Sequence, residues 1–467
     1  MTMSAFLMFL VYSTFSSPIT MNRLGTLMIM FTLIIYLNSI NIMGLTPGIT
    51  LFNNWFSLTG YNIPLTMLML MLSVMLLMYS TSTHRYDLKS PYYYLMMLAN
   101  MMGLLLFPLV NDLMALYIVV ELQSYSLYLL TGLHNRSYNA SRASLLYFLM
   151  GGMASTMMLL ASYFMYSLTG STNLSDMSMF YSTAPSTGSW LSYAAPNNAY
   201  DYFDMLLFAL LFKMGMAPLH RWSMAVYNYA PTYMTAYMSV VAKMSIASWM
   251  FSNAYLFNHH LLMLFFYMSL AVAAYKPLFQ VNMKTMLAYS GLLNFGYILL
   301  TMMSFDMSFY VYMIQYVLTH MMLFLGMLAA SQYMKTPMTK WSPLLYMHQL
   351  KMPNLTLVFM LVMALFSLMG MPPTPGFYAK LYVLAGALQD NYVLEVCAMV
   401  LFSVMATYYY ANIIKMLISS VNMVKNNENI NTINPSLAYL LSVSTVMLMS
   451  LFIYLPSLLE GLYLMTM

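Results

Sequence analysis

The sequence predicts an all-α polytopic membrane protein of about fourteen transmembrane helices, and three observations carry that expectation. First, 62% of the 467 residues are hydrophobic and 6% are charged, against roughly 25% charged in soluble domains. A soluble fold would not leave so little polar surface. Second, apolar runs of about 17–25 residues, long enough to cross a ~30 Å hydrocarbon core as helices, recur from one end of the chain to the other. Third, the net charge of +5 is spread singly through short polar breaks, with no basic tail to suggest a nucleic-acid partner.

The apolar runs place spans at roughly 4–17, 26–44, 63–81, 92–110, 112–133, 143–168, 203–228, 232–252, 260–276, 283–302, 308–331, 354–388, 392–419 and 437–464. Loop charges test that count through the excess of Lys and Arg on one membrane face. Odd-numbered connections hold Arg23, Arg85 and Lys89, Arg136 and Arg142, Lys276 and Lys284, Lys335, Lys340 and Lys351, and Lys415 and Lys425, with Arg221 the cation nearest the loop after span seven. Even-numbered connections hold Asp112, Asp176 and Asp201, His259 and His260, Asp306 and Asp390, and no Lys or Arg. This alternation predicts both termini on the less positive side. Thr169 to Tyr202 and Ser419 to Pro435 are polar enough to read as extramembrane connections. Met1 to Thr20 lacks the charged start of a secretory signal and the Arg-rich pattern of an imported precursor, so it reads as the first span.

Several chemistries are excluded by what the chain lacks. Cys397 is the single cysteine, which rules out an internal disulfide and a thiolate cluster. The seven histidines have no zinc-site spacing. Neither a Gly-Lys-Ser phosphate loop nor a Gly-x-Gly-x-x-Gly turn occurs, so no nucleotide site is expected. The 59 methionines and 42 tyrosines fit an AT-rich, organelle-encoded gene.

Once the loop charges are set aside, Glu121, Lys213, Lys243 and Lys380 fall within spans, with His220 and His320 as titratable companions. A charge at the centre of a membrane helix costs about 2.5–3.5 kcal/mol on insertion scales, and such residues face a bundle interior or a hydrated path. Lys243 sits too deep in its span to snorkel, on a small polar stripe of Thr235, Ser239 and Ala247. Glu121 lies on a stripe with Tyr117, Ser124, Tyr125 and Tyr128. Burial penalises a lone carboxylate, and a nearby lysine offsets that penalty. His320 could relay a proton, because imidazole titrates near ~6.5; a packed core histidine is the alternative. Lys276 and Lys284 flank a loop and read as positive-side anchors.

Lys213 and Lys380 adjoin helix breaks. Gly215 and Pro218 interrupt span seven, and Pro372, Pro373 and Pro375 interrupt span twelve. Proline removes a backbone donor, so freed carbonyls at membrane depth need a cavity, water or a cation. The breaks lie five spans apart. That odd offset predicts two inverted five-helix repeats, each containing a broken helix. The chain then divides into residues 1–90 (helices 1–3), 91–255 (helices 4–8), 256–420 (helices 9–13) and 421–467 (a linker and helix 14).

Val-Glu-Leu-Gln-Ser-Tyr-Ser-Leu-Tyr-Leu-Leu (120–130), Tyr-Phe-Leu-Met-Gly-Gly-Met-Ala-Ser (147–155), Lys-Met-Gly-Met-Ala-Pro-Leu-His-Arg-Trp (213–222), Leu-Ala-Tyr-Ser (287–290) and Gly-Met-Pro-Pro-Thr-Pro-Gly-Phe-Tyr-Ala-Lys (370–380) together resemble the NADH-ubiquinone oxidoreductase chain 2 family. These are the antiporter-like subunits 2 of mitochondrial respiratory complex I, and the match looks fungal. The resemblance covers roughly residues 90–420. It implies a fourteen-helix, proton-translocating subunit of an H+-translocating NADH:ubiquinone reductase in the mitochondrial inner membrane, with both termini on the intermembrane-space side and odd-numbered loops in the matrix. Glu121, Lys213, Lys243 and Lys380 then correspond to the family's proton-carrying residues, and His220 to its neighbouring histidine. No cofactor is expected in this chain; FMN, iron-sulfur clusters and ubiquinone would belong to other subunits. Implied partners are the membrane-arm subunits, including antiporter-like subunit 4 and small subunit 4L, and lipids such as cardiolipin. Two departures stand out: Leu146 replaces a lysine of bacterial relatives, and Met-Ala-Val-Tyr (224–227) stands where the family has Pro-Asp-Val-Tyr. A cation/proton antiporter subunit, or a purely structural membrane-arm subunit, are the rival readings.

Overall fold

The computed structural model describes residues 2–14, 24–35, 49–82, 92–133, 137–183, 196–333, 352–424 and 433–466. Among the described residues, each apolar run holds at least one helix. In order they are α1 (Thr2–Ser13), α2 (Leu24–Ile35), α3 (Ile63–Ser82), α4 (Tyr93–Leu106), α5 (Leu113–Gly132), α6 (Tyr138–Thr169), α7 (Leu174–Thr183), α8 (Pro196–Met214) and α9 (Arg221–Tyr229). There follow α10 (Thr232–Tyr237), α11 (Lys243–Ser252), α12 (His259–Tyr275), α13 (Met283–Ser304), α14 (Ser308–Gln332), α15 (Leu355–Met369), α16 (Pro375–Gln389), α17 (Val393–Val424) and α18 (Pro435–Thr466).

Among the described residues, seven helices are long and apolar enough to cross a membrane unaided: α5, α6, α12 with the turn after it, α13, α14, α17 and α18. Among the described residues, the remaining apolar runs hold shorter helices or pairs. Residues 203–228 hold α8 and α9, and residues 354–388 hold α15 and α16, each pair separated at the expected Gly/Pro break. Polar side chains start several of these helices where backbone N–H groups would otherwise lack acceptors: Asp112 caps α5, Ser137 caps α6, Asn258 caps α12 and Asn354 caps α15.

Burial orders the bundle. In α13 and α14, 94% of the apolar window is buried, against 28% in α6 and α18, so α13 and α14 form the axis and α6 and α18 the flanks. The two polar connections are shorter than their composition suggests. The ten-residue α7 and the start of α8 occupy part of 169–202, and α17 runs to Val424. A small antiparallel hairpin, Ile49–Leu51 with Phe56–Leu58, also precedes α3. Of the loop cations, Arg23, Arg85, Lys89, Arg136, Lys335, Lys340, Lys351 and Lys425 lie outside the described residues, while Arg142, Arg221, Lys276 and Lys415 are exposed.

The start of α5 matters because this helix carries Glu121. The Asp112 carboxylate accepts from Met114 N at 2.8 Å and from the Thr172 hydroxyl at 2.6 Å, which ties α5 to the segment before α7. Replacing a capping Asp by Ala costs about 1 kcal/mol. Asp112→Ala is therefore expected to lower the thermal midpoint of the protein in its native assembly, checked by a melting curve against the unchanged chain.

Candidate functional site

The two helix breaks share a backbone solution. α8 ends on Gly215 (φ 70°) and α15 on Gly370 (φ 81°), both in the left-handed region that favours glycine. In each, the next residue's N–H reaches back past the last turn: Met216 N to Leu211 O at 3.1 Å, and Met371 N to Phe366 O at 3.1 Å. This ending satisfies helix-terminal carbonyls before the chain turns through proline. Pro218, Pro372 and Pro373 lie in the turns themselves, and Pro375 opens α16 as a residue that needs no N–H partner there.

Lys213 projects from the last turn of α8, where its charge complements the negative end of the helix. Its Nζ lies 3.5 Å from Glu121 Oε1 of α5, and the two side chains are 8% and 10% exposed. Sequence alone places these residues in different spans; folding makes them an ion pair. Beside them is a cavity lined by Gln123, Ser124, Tyr128, Lys213, Tyr227 and Lys243, among others. The centre of a water molecule can range over ≈ 40 Å³ of it, against roughly 10–15 Å³ needed to hold one water. Lys213 and Lys243 thus border one space large enough for a short water chain.

Lys243 is 5% exposed and begins α11 directly after a π-helical turn, Met238–Ala242. This turn offsets the register between Thr235 and Lys243, so the polar stripe expected from regular helical spacing is not continuous. A π turn leaves carbonyls out of the usual ladder. Here the Tyr316 hydroxyl donates to Ser239 O at 3.3 Å and Gln123 Nε2 donates to Ala242 O at 3.3 Å. The ammonium itself rests on aromatic faces, 5.2 Å from the centre of Tyr227 and 5.0 Å from that of Phe295.

Lys380 reaches back from α16 to the end of α15, donating to Leu368 O at 2.6 Å and Met369 O at 3.1 Å. It is the cation that the freed carbonyls of the second break require. Its Nζ also lies 5.4 Å from the centre of the Tyr297 ring. Phe295 and Tyr297 are two positions apart on α13, about 200° around a helix, so α13 stands between Lys243 and Lys380. Polar groups skirt it. His320 Nε2 is 3.4 Å from Ser290 Oγ, Asn294 Nδ2 donates to Ser290 O at 2.9 Å, and the Tyr312 hydroxyl donates to Asn294 Oδ1 at 2.7 Å. Tyr312 stacks on Tyr297 with ring centres 4.9 Å apart, which closes the distance to Lys380.

The expected residues are thus divided. Lys213 and Lys243 line the cavity, Glu121 reaches it through its ion pair with Lys213, and His320 and Lys380 lie along the groups beyond it. His220 does not line the cavity; it is buried at the start of α9 with its ring 6.0 Å from that of Tyr289. Leu146 packs against the apolar core, and its neighbour Tyr147 lines the cavity. Lys284 corrects an expectation: it is no surface anchor but 2% exposed, with Nζ donating to Ala230 O at 2.7 Å. Sequence reasoning also passed over Gln123, Ser290, Asn294 and Tyr312. Their polarity within apolar spans was the available signal, outweighed by the charged residues.

A fold of this kind, with paired broken helices and buried lysines, defines a class of membrane transporters, and comparison with known proteins narrows it. The family described as NADH:quinone oxidoreductase/Mrp antiporter, transmembrane, matches residues 110–407, and the chain belongs to it. Within that family it is similar to NADH-ubiquinone oxidoreductase chain 2 of Debaryomyces hansenii, 69% identical over 466 residues that cover all of both chains. The same chain of Candida albicans is 47% identical over 467 residues, covering 100% of this chain and 95% of that one. A chain of respiratory complex I from Thermus thermophilus superposes with a TM-score of 0.78 at 23% identity, covering 99% of this chain and 98% of that one, which shows a shared fold.

The Lys380 contacts yield a direct expectation. Lys380→Met leaves the Leu368 and Met369 carbonyls without their donor, at a cost of about 1–3 kcal/mol for a buried group. The amount of folded chain recovered in its assembly after mild detergent extraction should fall, and Lys380→Arg, which keeps a donor, should restore it.

Proposed function

We infer that this chain is a proton-translocating membrane-arm subunit of respiratory complex I. The observation that carries the mechanism is the Glu121–Lys213 ion pair beside a cavity shared with Lys243. A carboxylate this close stabilises the ammonium by about 4 kcal/mol at an effective dielectric near 20, enough to decide whether the lysine keeps its proton. Drawing the pair apart in a poorly hydrated site favours release. The proton then passes through water in the cavity to Lys243, and around α13 toward Lys380 by further waters that bridge the gaps between His320, Ser290 and Tyr312. Asn294 holds that route in register through its bonds to Ser290 and Tyr312.

The energy comes from NADH:ubiquinone electron transfer in other subunits, which hold the FMN, iron-sulfur clusters and ubiquinone. In this reading the chain contributes the translocase part of the reaction and neither a redox nor a nucleotide site. The matching geometry of the breaks after Gly215 and Gly370 supports a fourteen-span frame with two inverted five-helix repeats, residues 91–255 and 256–420. In the mitochondrial inner membrane, with both termini toward the intermembrane space, the exposed Arg142, Arg221, Lys276 and Lys415 face the matrix, as the charge rule requires. Other membrane-arm subunits, among them antiporter-like subunit 4 and small subunit 4L, and lipids such as cardiolipin would meet the apolar flanks that α6 and α18 leave uncovered. A cation/proton antiporter subunit shares the family, but likeness across the whole chain to a complex I chain favours the complex I reading.

Lys243→Met separates conduction from assembly, because methionine keeps most of the volume and loses the titratable group. The assembled complex should oxidise NADH while pumping fewer protons for each NADH oxidised. Undiminished pumping alongside normal NADH oxidation would sink the proposal.

A further inference from the structure

The short helix α9, second half of the first broken pair, ends at a joint gripped by two cations. It stops at Ala230, whose backbone turns extended (φ −65°, ψ 154°), and Pro231 follows. Carbonyls in the last turn of a helix carry partial negative charge and lack intrahelical partners. Lys284, second residue of α13, supplies one partner: its Nζ donates to Ala230 O at 2.7 Å, with the lysine 2% and the alanine 1% exposed. Arg142 of α6 supplies another grip, its guanidinium carbon 4.5 Å from the centre of the Tyr229 ring. A lysine so near a helix end has the reach to snorkel outward. This one turns inward instead.

What the joint carries explains why that matters. Three residues before Ala230, Tyr227 lays its ring 5.2 Å from Lys243 Nζ. On the other side of the joint, Pro231 leads into α10, the π turn and Lys243 itself. Any shift at Ala230 therefore displaces both the ring beneath the ammonium and the backbone that bears it. Lys284 and Ala230 are also 54 residues apart, so the bond ties the axial α13 to the first broken pair.

We propose that Lys284 is a positioning residue for Lys243: a fixed cation that pins the α9–α10 joint and so holds Tyr227 under the Lys243 ammonium. The proposal rests on the reading of Lys243 as a proton carrier. It differs from a relay role in requiring Lys284 to stay charged and bonded. Lys284→Arg should therefore replace it, whereas Lys284→Met and Lys284→Gln should not.

The test uses the assembled complex and two readouts: protons pumped for each NADH oxidised, and hydrogen–deuterium exchange of the amides in 226–236. Lys284→Met is expected to speed exchange there and to lower pumping for each NADH at least about twofold, since small misplacements of a reacting group cost large factors in rate. Lys284→Arg should leave both near the unchanged protein. Should Lys284→Met fail to assemble, Lys284→Gln against Lys284→Arg makes the same comparison: faster exchange in the glutamine variant supports the proposal, and equal exchange overturns it. Lys284→Met with unaltered exchange and pumping overturns it as well. So does a Lys284→Arg variant with unaltered exchange but impaired pumping, because that outcome makes Lys284 a proton carrier. If Lys243→Met pumps normally while Lys284→Met still loosens 226–236, the joint stands and the proposed function falls.

Discussion

An ammonium group held away from water must find compensation in the protein, and most of this structure can be understood from how four lysines find it. Lys213 takes a carboxylate, Glu121. Lys243 takes the faces of Tyr227 and Phe295. Lys380 and Lys284 take backbone carbonyls at the ends of short helices. These solutions differ in how readily they are lost. A carbonyl cannot change its charge, so it fixes its lysine in place. A carboxylate can be protonated or moved, and an aromatic face attracts a cation more weakly than an anion does. The proposed mechanism therefore places proton movement where Lys213 and Lys243 adjoin the cavity.

The backbone is shaped to make those solutions available. Breaking two helices exposes carbonyls within the bundle, and Gly215 and Gly370 supply the left-handed turns that end each first half cleanly. The π turn before Lys243 does comparable work without a proline. Its Ser239 and Ala242 carbonyls accept from Tyr316 of α14 and Gln123 of α5. The π turn is buried throughout, whereas Pro218 of the first break and Met371, Pro372 and Pro373 of the second are exposed at the surface of the chain. α13 and α14, almost wholly buried, provide the walls against which these pieces are set.

Much of this was legible in the sequence, for a physical reason. Charges are so rare here that Glu121, Lys213, Lys243 and Lys380 announce themselves, and Gly/Pro runs mark the breaks without ambiguity. Other features were hidden. Hydropathy does not distinguish a helix facing lipid from one facing protein, so the central place of α13 and α14 was invisible. A π turn has no residue signature comparable to proline, and the stripe through Ser239 and Lys243 assumed a regular helix that is not there. Lys284 was misread because proximity to a loop suggests a surface anchor, while only the folded arrangement brings Ala230 O within reach. Pairing between spans, as in Glu121 and Lys213, depends on packing angles that local sequence does not encode.

Proton transfer between Lys213 and Lys243 requires that they share water. A structure of the intact complex at a resolution that shows ordered solvent measures this directly. Water density is expected in the cavity, forming an unbroken chain of hydrogen bonds from Lys213 Nζ to Lys243 Nζ past Ser124 and Tyr128. A cavity occupied by apolar side chains or lipid, with no water between the two ammonium groups in any state of the complex, would contradict the proposed mechanism.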